Sequence, residues 1–271
     1  MYGAKTVDRH NPNYINEREN FFHKPLVNLN HFMTINEKTR LSSVLYWSGG
    51  SGGGTGTYGR IPTLDADGKL GGENYKFYYG RSPWTRDWNT LIDYNSGTDD
   101  VVYVDKRAIS REAGQSVGIL RNSINRQNTL GLISKLNYDV SDELTLQAGV
   151  DWRTAGIEHA REVRDLMGGD FYMDFADDNA PDGKKVGLGD IIAYHNETTV
   201  DWLGVYGQGA YSSGPLSAYG MLGLTQIAYS YQDHFTVADE KITADPISTL
   251  QWKGGAMYDV TDNVSVFGSF G

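Results

Sequence analysis

The sequence predicts an all-β chain, an antiparallel transmembrane β-barrel segment of about eight strands, and three observations predict it. Apolar and polar residues alternate with the period of two that belongs to strands. A tight polar turn occurs twice, as Tyr138-Asp139-Val140-Ser141-Asp142 and Tyr258-Asp259-Val260-Thr261-Asp262, 120 residues apart, each time with alternating segments on both sides. Short and long connections take turns along the chain.

Taken in order, extended segments read at 25–35 and 40–47, at 126–140 and 144–157, at 199–211 and 216–231, and at 249–260 and 264–271. The members of each pair are joined by turn formers: Asn36-Glu37-Lys38-Thr39, Ser141-Asp142-Glu143, Ser212-Ser213-Gly214-Pro215 and Thr261-Asp262-Asn263. The segment after the second turn shows the alternation most cleanly. Leu144, Leu146, Ala148, Val150 and Trp152 share one face, and Thr145, Gln147, Gly149, Asp151 and Arg153 share the other. The polar face must meet water, while the apolar face can meet a protein core or lipid. Loop length decides between these. The remaining links, 48–125, 158–198 and 232–248, are long. A soluble sandwich has no reason to sort its loops onto two ends in this way, whereas an outer-membrane barrel has short periplasmic turns and long extracellular loops.

Composition fits that reading. Mean hydropathy is -0.47, and no apolar run approaches the roughly 18 residues of a membrane helix. A barrel hides in such averages because only alternate strand residues face lipid. The 18 Tyr, 6 Trp and 9 Phe suit interfacial girdles, and Tyr138 and Tyr258, each just before a short turn, stand at the height of a periplasmic one. With no cysteine there is neither a disulfide scaffold nor a thiolate site. A net charge of -10 with no Lys/Arg stripe argues against nucleic acid. Between Arg161 and Asp190 lie eight acidic residues against four basic ones, a pattern expected of a solvated loop rather than of a divalent-cation site.

Residues 22–31 (Phe-His-Lys-Pro-Leu-Val-Asn-Leu-Asn-His), the run Ile35-Asn36-Glu37-Lys38-Thr39 and the Gly-rich 48–56 resemble the barrel region of TonB-dependent outer-membrane receptors, especially Bacteroidetes-like ones. The segment 162–172 is similar to a loop of the same group, and 258–266 to periplasmic hairpins throughout the class. The resemblance implies a 22-stranded barrel closed by an N-terminal plug and energised by the TonB complex. Residues 1–271 then read as a partial receptor barrel, without signal peptide, plug or TonB box, its last strand stopping at Phe270-Gly271 short of a full crossing.

Other motifs carry less. The stretch Gly49–Gly59 lacks the Gly-Lys-[Ser/Thr] ending of a phosphate loop and is expected to be a flexible loop base. Asp65-Ala66-Asp67-Gly68 reads as a turn, not a calcium loop. The six histidines have no pair at ligand spacing, and no catalytic constellation is present, so no metal, cofactor or catalytic residue is assigned and the chain is expected not to be an enzyme. The aromatic and cationic run 75–88 is the one candidate for ligand stacking, with Trp84 and Trp88 as its named residues. The expected function is TonB-energised uptake of a scarce nutrient (an iron chelate, cobalamin or a glycan) across a Gram-negative outer membrane, with membrane lipid and the TonB complex as partners. A passive porin or structural barrel, and a secreted carbohydrate-binding β-sandwich, are the alternatives.

Overall fold

A computed structural model describes residues 17–62, 86–104, 106–236 and 240–271. The elements run β1 (Asn20–His23), β2 (Leu26–Asn36), β3 (Thr39–Gly59), α1 (Trp88–Ser96), β4 (Val101–Val104), β5 (Arg107–Ser110), β6 (Gln115–Ser116), β7 (Gly118–Asp139), β8 (Leu144–Asp165), β9 (Phe171–Asp174), β10 (Lys184–Val186), β11 (Ile191–Ser213), β12 (Leu216–Asp233), β13 (Lys241–Thr243), β14 (Ile247–Thr261) and β15 (Val264–Phe270). One antiparallel sheet contains the order β1-β3-β7-β8-β11-β12-β14-β15, with β2 also on β3 and β13 on β12. Among the described residues this sheet is open, ending on β15 at one edge and on β1 and β2 at the other.

All eight predicted segments are strands, and the four predicted turns join them. Several strands are much longer than the alternation alone suggested. The 22 residues of β7 and of β8 and the 23 of β11 extend roughly 70 Å, twice what a membrane crossing needs. The long connections shrink accordingly, to 60–117, 166–190 and 234–246.

The expected flexible loop base at Gly49–Gly59 is instead the upper half of β3, paired residue by residue with β7. Its glycines serve close approach rather than flexibility. A Cβ on Gly53 would run into the Ser123 carbonyl, and one on Gly52 into the Phe22 ring.

Directly paired residues share a face, so the register assigns faces across the whole sheet. The row Met33, Leu41, Leu136, Ala148, Gly207, Leu222, Trp252 is apolar throughout. The adjacent row, Thr34, Arg40, Asn137, Gln147, Gln208, Met221, Lys253, is largely polar. The apolar row lies three residues from the end of β2 and nine from the end of β14, six strands further on. One residue of climb (about 3.3 Å) per strand spacing of about 4.8 Å gives a tilt of about 35° to the rim of short turns. This is the tilt of membrane barrels.

On the apolar face, five strands carry the same belt. In β7 (130–138), β8 (144–152), β11 (203–211), β12 (216–224) and β14 (250–258) every second residue is apolar or small apart from Ser134, and the next position up is Asn128, Thr154, Asp201, Gln226 or Ser248. Nine residues span about 26 Å along a strand, or about 22 Å of height at this tilt, close to the band of outer-membrane barrels. The belt is uncovered: Leu203, Leu222, Leu250 and Trp252 are 46%, 57%, 60% and 57% exposed. A sandwich would have buried this face against a second sheet. Tyr138, Tyr211 and Tyr258 all stand on it at the short-turn end, as a girdle requires.

The polar face is tightened by tyrosines laid over glycines. Tyr46 covers Gly131, Tyr206 covers Gly149 and Tyr219 covers Gly255, each pair directly opposite in register. The glycines admit rings that any Cβ would displace.

Beyond the belt, the long-loop end folds into two small cores. Ile61, Leu91, Val102, Val104, Val117, Leu120 and Met167 form one, under α1; Ile119, Val163, Leu166, Val186 and Ile192 form the other. Asp87 caps α1, its carboxylate accepting from the Thr90 amide at 3.0 Å. Asn95, fully buried, donates to the carbonyls of Gly118, Leu166 and Met167 and accepts from the Val117 amide. One side chain thus fastens the helix to β7 and to the loop after β8.

Candidate functional site

The polar-face alternation brings Tyr58 of β3, Arg121 of β7, Arg161 of β8 and Tyr194 of β11 to one place at the long-loop end. None of the four is a neighbour of another in sequence. The Arg161 guanidinium lies over both rings, 5.4 Å from the centroid of Tyr58 and 5.0 Å from that of Tyr194. Tyr172 of β9 meets Tyr58 edge-on at 5.7 Å.

Backbone strain aims Tyr194. Between Ile191 and His195 the register with β8 breaks, and Ala193 takes a left-handed φ of 65°. Such a conformation costs a non-glycine residue on the order of 1 kcal/mol, and bulges of this kind re-aim side chains. Asp174, 3% exposed, holds it by accepting from the Ala193 amide at 3.0 Å.

The site is cationic and partly dry. Burial first, then the charges of Arg161 and Arg18, push the Arg121 guanidinium below its ordinary value. Burial likewise raises the Tyr172 hydroxyl, with Tyr58 and Asp174 adding to the rise. Arg121 spends Nη1 on the Gly54 carbonyl and the Ser123 hydroxyl, at 3.0 and 2.7 Å. The Nε atoms of Arg121 and Arg161 are buried without a hydrogen-bond partner among the described residues. Crowded guanidiniums beside tyrosine faces are suited to an anionic, planar group.

The expected stacking residues stand elsewhere. Trp88 opens α1 and packs, half-buried, against the core containing Leu91 and Leu120; Trp84 lies outside the described residues, as does the Asp65–Gly68 turn. Leu120 belongs to the apolar-face set and Ile119 to the polar-face set, so Trp88 and the Tyr58–Arg161 cluster flank opposite sides of the strand ends. Three acids of the acidic stretch hold turns. Asp165, Asp177 and Asp190 accept from the amides of Met167, Asn179 and Gly187. The sequence reading puts Arg161 in the long loop 158–198; the extension of β8 to Asp165 places it on the polar face, and the register supplies its partners.

No protein-family model matches the chain, and no curated protein does. Solved structures do. The ferric citrate transporter FecA in its unliganded form matches with a TM-score of 0.53 at 8% identity, over 93% of this chain and 27% of that one. The fold is that of an arc of outer-membrane receptor barrel. The ferric-catecholate import receptor Fiu from E. coli K12 matches with a TM-score of 0.47 at 9% identity in its closed form, over 94% and 33% of the two chains. Its open form gives 0.46 at 11%, over 97% and 37%. The chain thus spans 27% to 37% of the length of these structures. In such a barrel the belt is the outward, lipid-facing side and the polar face lines the lumen.

Proposed function

We propose that this chain is part of the barrel of a TonB-dependent outer-membrane receptor that takes up an anionic iron chelate. The observation that carries the reading is the pairing of a lipid-height apolar belt outside with a cationic, tyrosine-lined surface inside, at the end opposite the short turns. Guanidiniums that repel one another gain from an anionic ligand, and tyrosine faces add stacking to planar chelating groups. The named functions of FecA and Fiu, ferric citrate transport and ferric-catecholate import, belong to the same ligand class. The recess of the polar face near the short turns, lined by Tyr219, Met257 and Phe267, would meet a plug through which TonB acts.

The test uses the full-length protein in cells lacking other receptors for the chelate supplied. Uptake of radioiron as ferric citrate or a ferric catecholate is expected to stop on uncoupling and to fall at least about tenfold in Arg161→Ala, the loss of one charged contact to the ligand. Uptake that survives uncoupling favours a passive porin. An unchanged Arg161→Ala refutes the ligand surface. Trp84→Ala addresses the remaining stacking candidate on its own: weakened binding with an assembled barrel would make Trp84 a ligand contact.

A further inference from the structure

Above the belt the outward face turns polar, and four side chains from three strands meet there. Glu158 of β8 and Glu197 of β11 are directly paired, and His195 lies two residues along β11 on the same face. His234, just past the end of β12, comes beside His195 because its amide continues the ladder, donating to the His195 carbonyl at 2.9 Å. The two imidazoles are tilted by 35° with centroids 4.4 Å apart. Glu158 Oε1 is 3.2 Å from His195 Nε2, and Glu197 Oε1 is 3.6 Å from His234 Nε2. Ligand atoms of His195, Glu197 and His234 all lie within 4.8 Å of one another.

We propose that His195, His234 and Glu197 bind one divalent transition-metal ion of the zinc class. Tetrahedral zinc with bonds of about 2.0–2.1 Å needs ligand atoms roughly 3.4 Å apart, so side-chain rotation of about 1 Å closes the set. Two imidazoles and a carboxylate suit zinc, nickel or copper and do not suit magnesium or calcium. Access is open: the side chains of His195 and His234 are 20% and 24% exposed and that of Glu197 54%. Glu158 is the positioning residue. Arg126 Nη1 holds both its oxygens, at 3.0 and 3.1 Å, and it in turn orients the His195 ring, the carboxylate–histidine arrangement found behind metal ligands. The site faces outward, away from the lumen, so the ion is a clamp between β11 and the chain just past β12, backed from β8 by Glu158, and not the transported cargo. Asn196 between the histidine and the glutamate points the other way, and the His-x-Glu spacing is what a strand needs to present two ligands on one face.

The full-length protein, stripped with chelator and held in detergent, is titrated with Zn²⁺ by calorimetry, and with Co²⁺ by visible absorbance. One equivalent is expected to bind, with the spectrum of a nitrogen- and oxygen-ligated ion, undiminished by excess Mg²⁺. His195→Ala and His234→Ala should each weaken binding at least about thirtyfold, and Glu158→Gln about tenfold through loss of ring orientation. The exposed Glu197→Gln gives the same reading should a histidine variant fail to assemble. Absence of Zn²⁺ binding overturns the proposal, as does binding unaltered in all four variants. Uptake plays no part in this readout, so failure of the receptor reading and failure of the metal site show up separately.

Discussion

Replacing Ala148 with arginine tests the facing of the whole sheet, because one register row links it to six other strands. Ala148 is exposed, lies four residues above the start of β8 and is the centre of the Leu144–Trp152 belt. A charge at mid-bilayer on the lipid face of a barrel costs about 2–4 kcal/mol. The comparator must stand at the same height on the other face. Gln147 does not serve, since its Nε2 donates to Asn137 at 2.7 Å and its Oε1 accepts from Tyr206 at 2.9 Å; an arginine there forfeits about 1–2 kcal/mol of hydrogen bonding whatever it faces. Gln208, its direct partner in β11, is the cleaner control, and Gln208→Arg should cost less than about 0.5 kcal/mol. The assay is reversible urea unfolding of the full-length protein from lipid bilayers, with the slope held common to the variants. Equal losses for Ala148→Arg and Gln208→Arg would refute the belt, and with it the assignment of lumen and lipid faces.

Asn95→Leu removes four hydrogen bonds inside the α1 core, and is expected to open 86–117 to protease at a local cost of about 2–4 kcal/mol while the barrel still assembles; protection equal to the parent's would show that Asn95 is not the fastener. Because burial raises the Tyr172 hydroxyl, the folded loop favours the neutral phenol; its contribution is complete below the unfolded-state value of about 10 and is lost as pH climbs beyond it. Alkaline loosening of the long-loop end, followed by hydrogen exchange, should therefore be blunted in Tyr172→Phe, and an identical alkaline profile would count against a buried phenol. A protease-cleavable tag at Asp178 should be cut in intact cells, and one at Asp142 or Asp262 should not, since the latter sit in short turns. Cleavage at all three would overturn the sidedness.

Strands, short turns and the two faces were legible in the sequence because alternation is a local property: a belt position repeats every second residue, and Ser141-Asp142-Glu143 closes a turn without help from the rest of the chain. Where meaning depended on what lies across the sheet, the sequence was silent or misleading. A run such as Gly49–Gly59 looks flexible on its own, and only the approach of Phe22 and Ser123 shows why a strand there needs glycine. Trp88 sits in an aromatic, cationic run that suggested ligand stacking, yet α1 packs it against the core that contains Leu91 and Leu120. Arg161, Tyr58 and Tyr194 become a surface, and His195 and His234 a cluster, through the pairing of β3, β7, β8, β11 and β12 and one bulge at Ala193. Register is a long-range quantity, set by the sum of many cross-strand contacts, and a one-residue slip would scatter both groups to opposite faces.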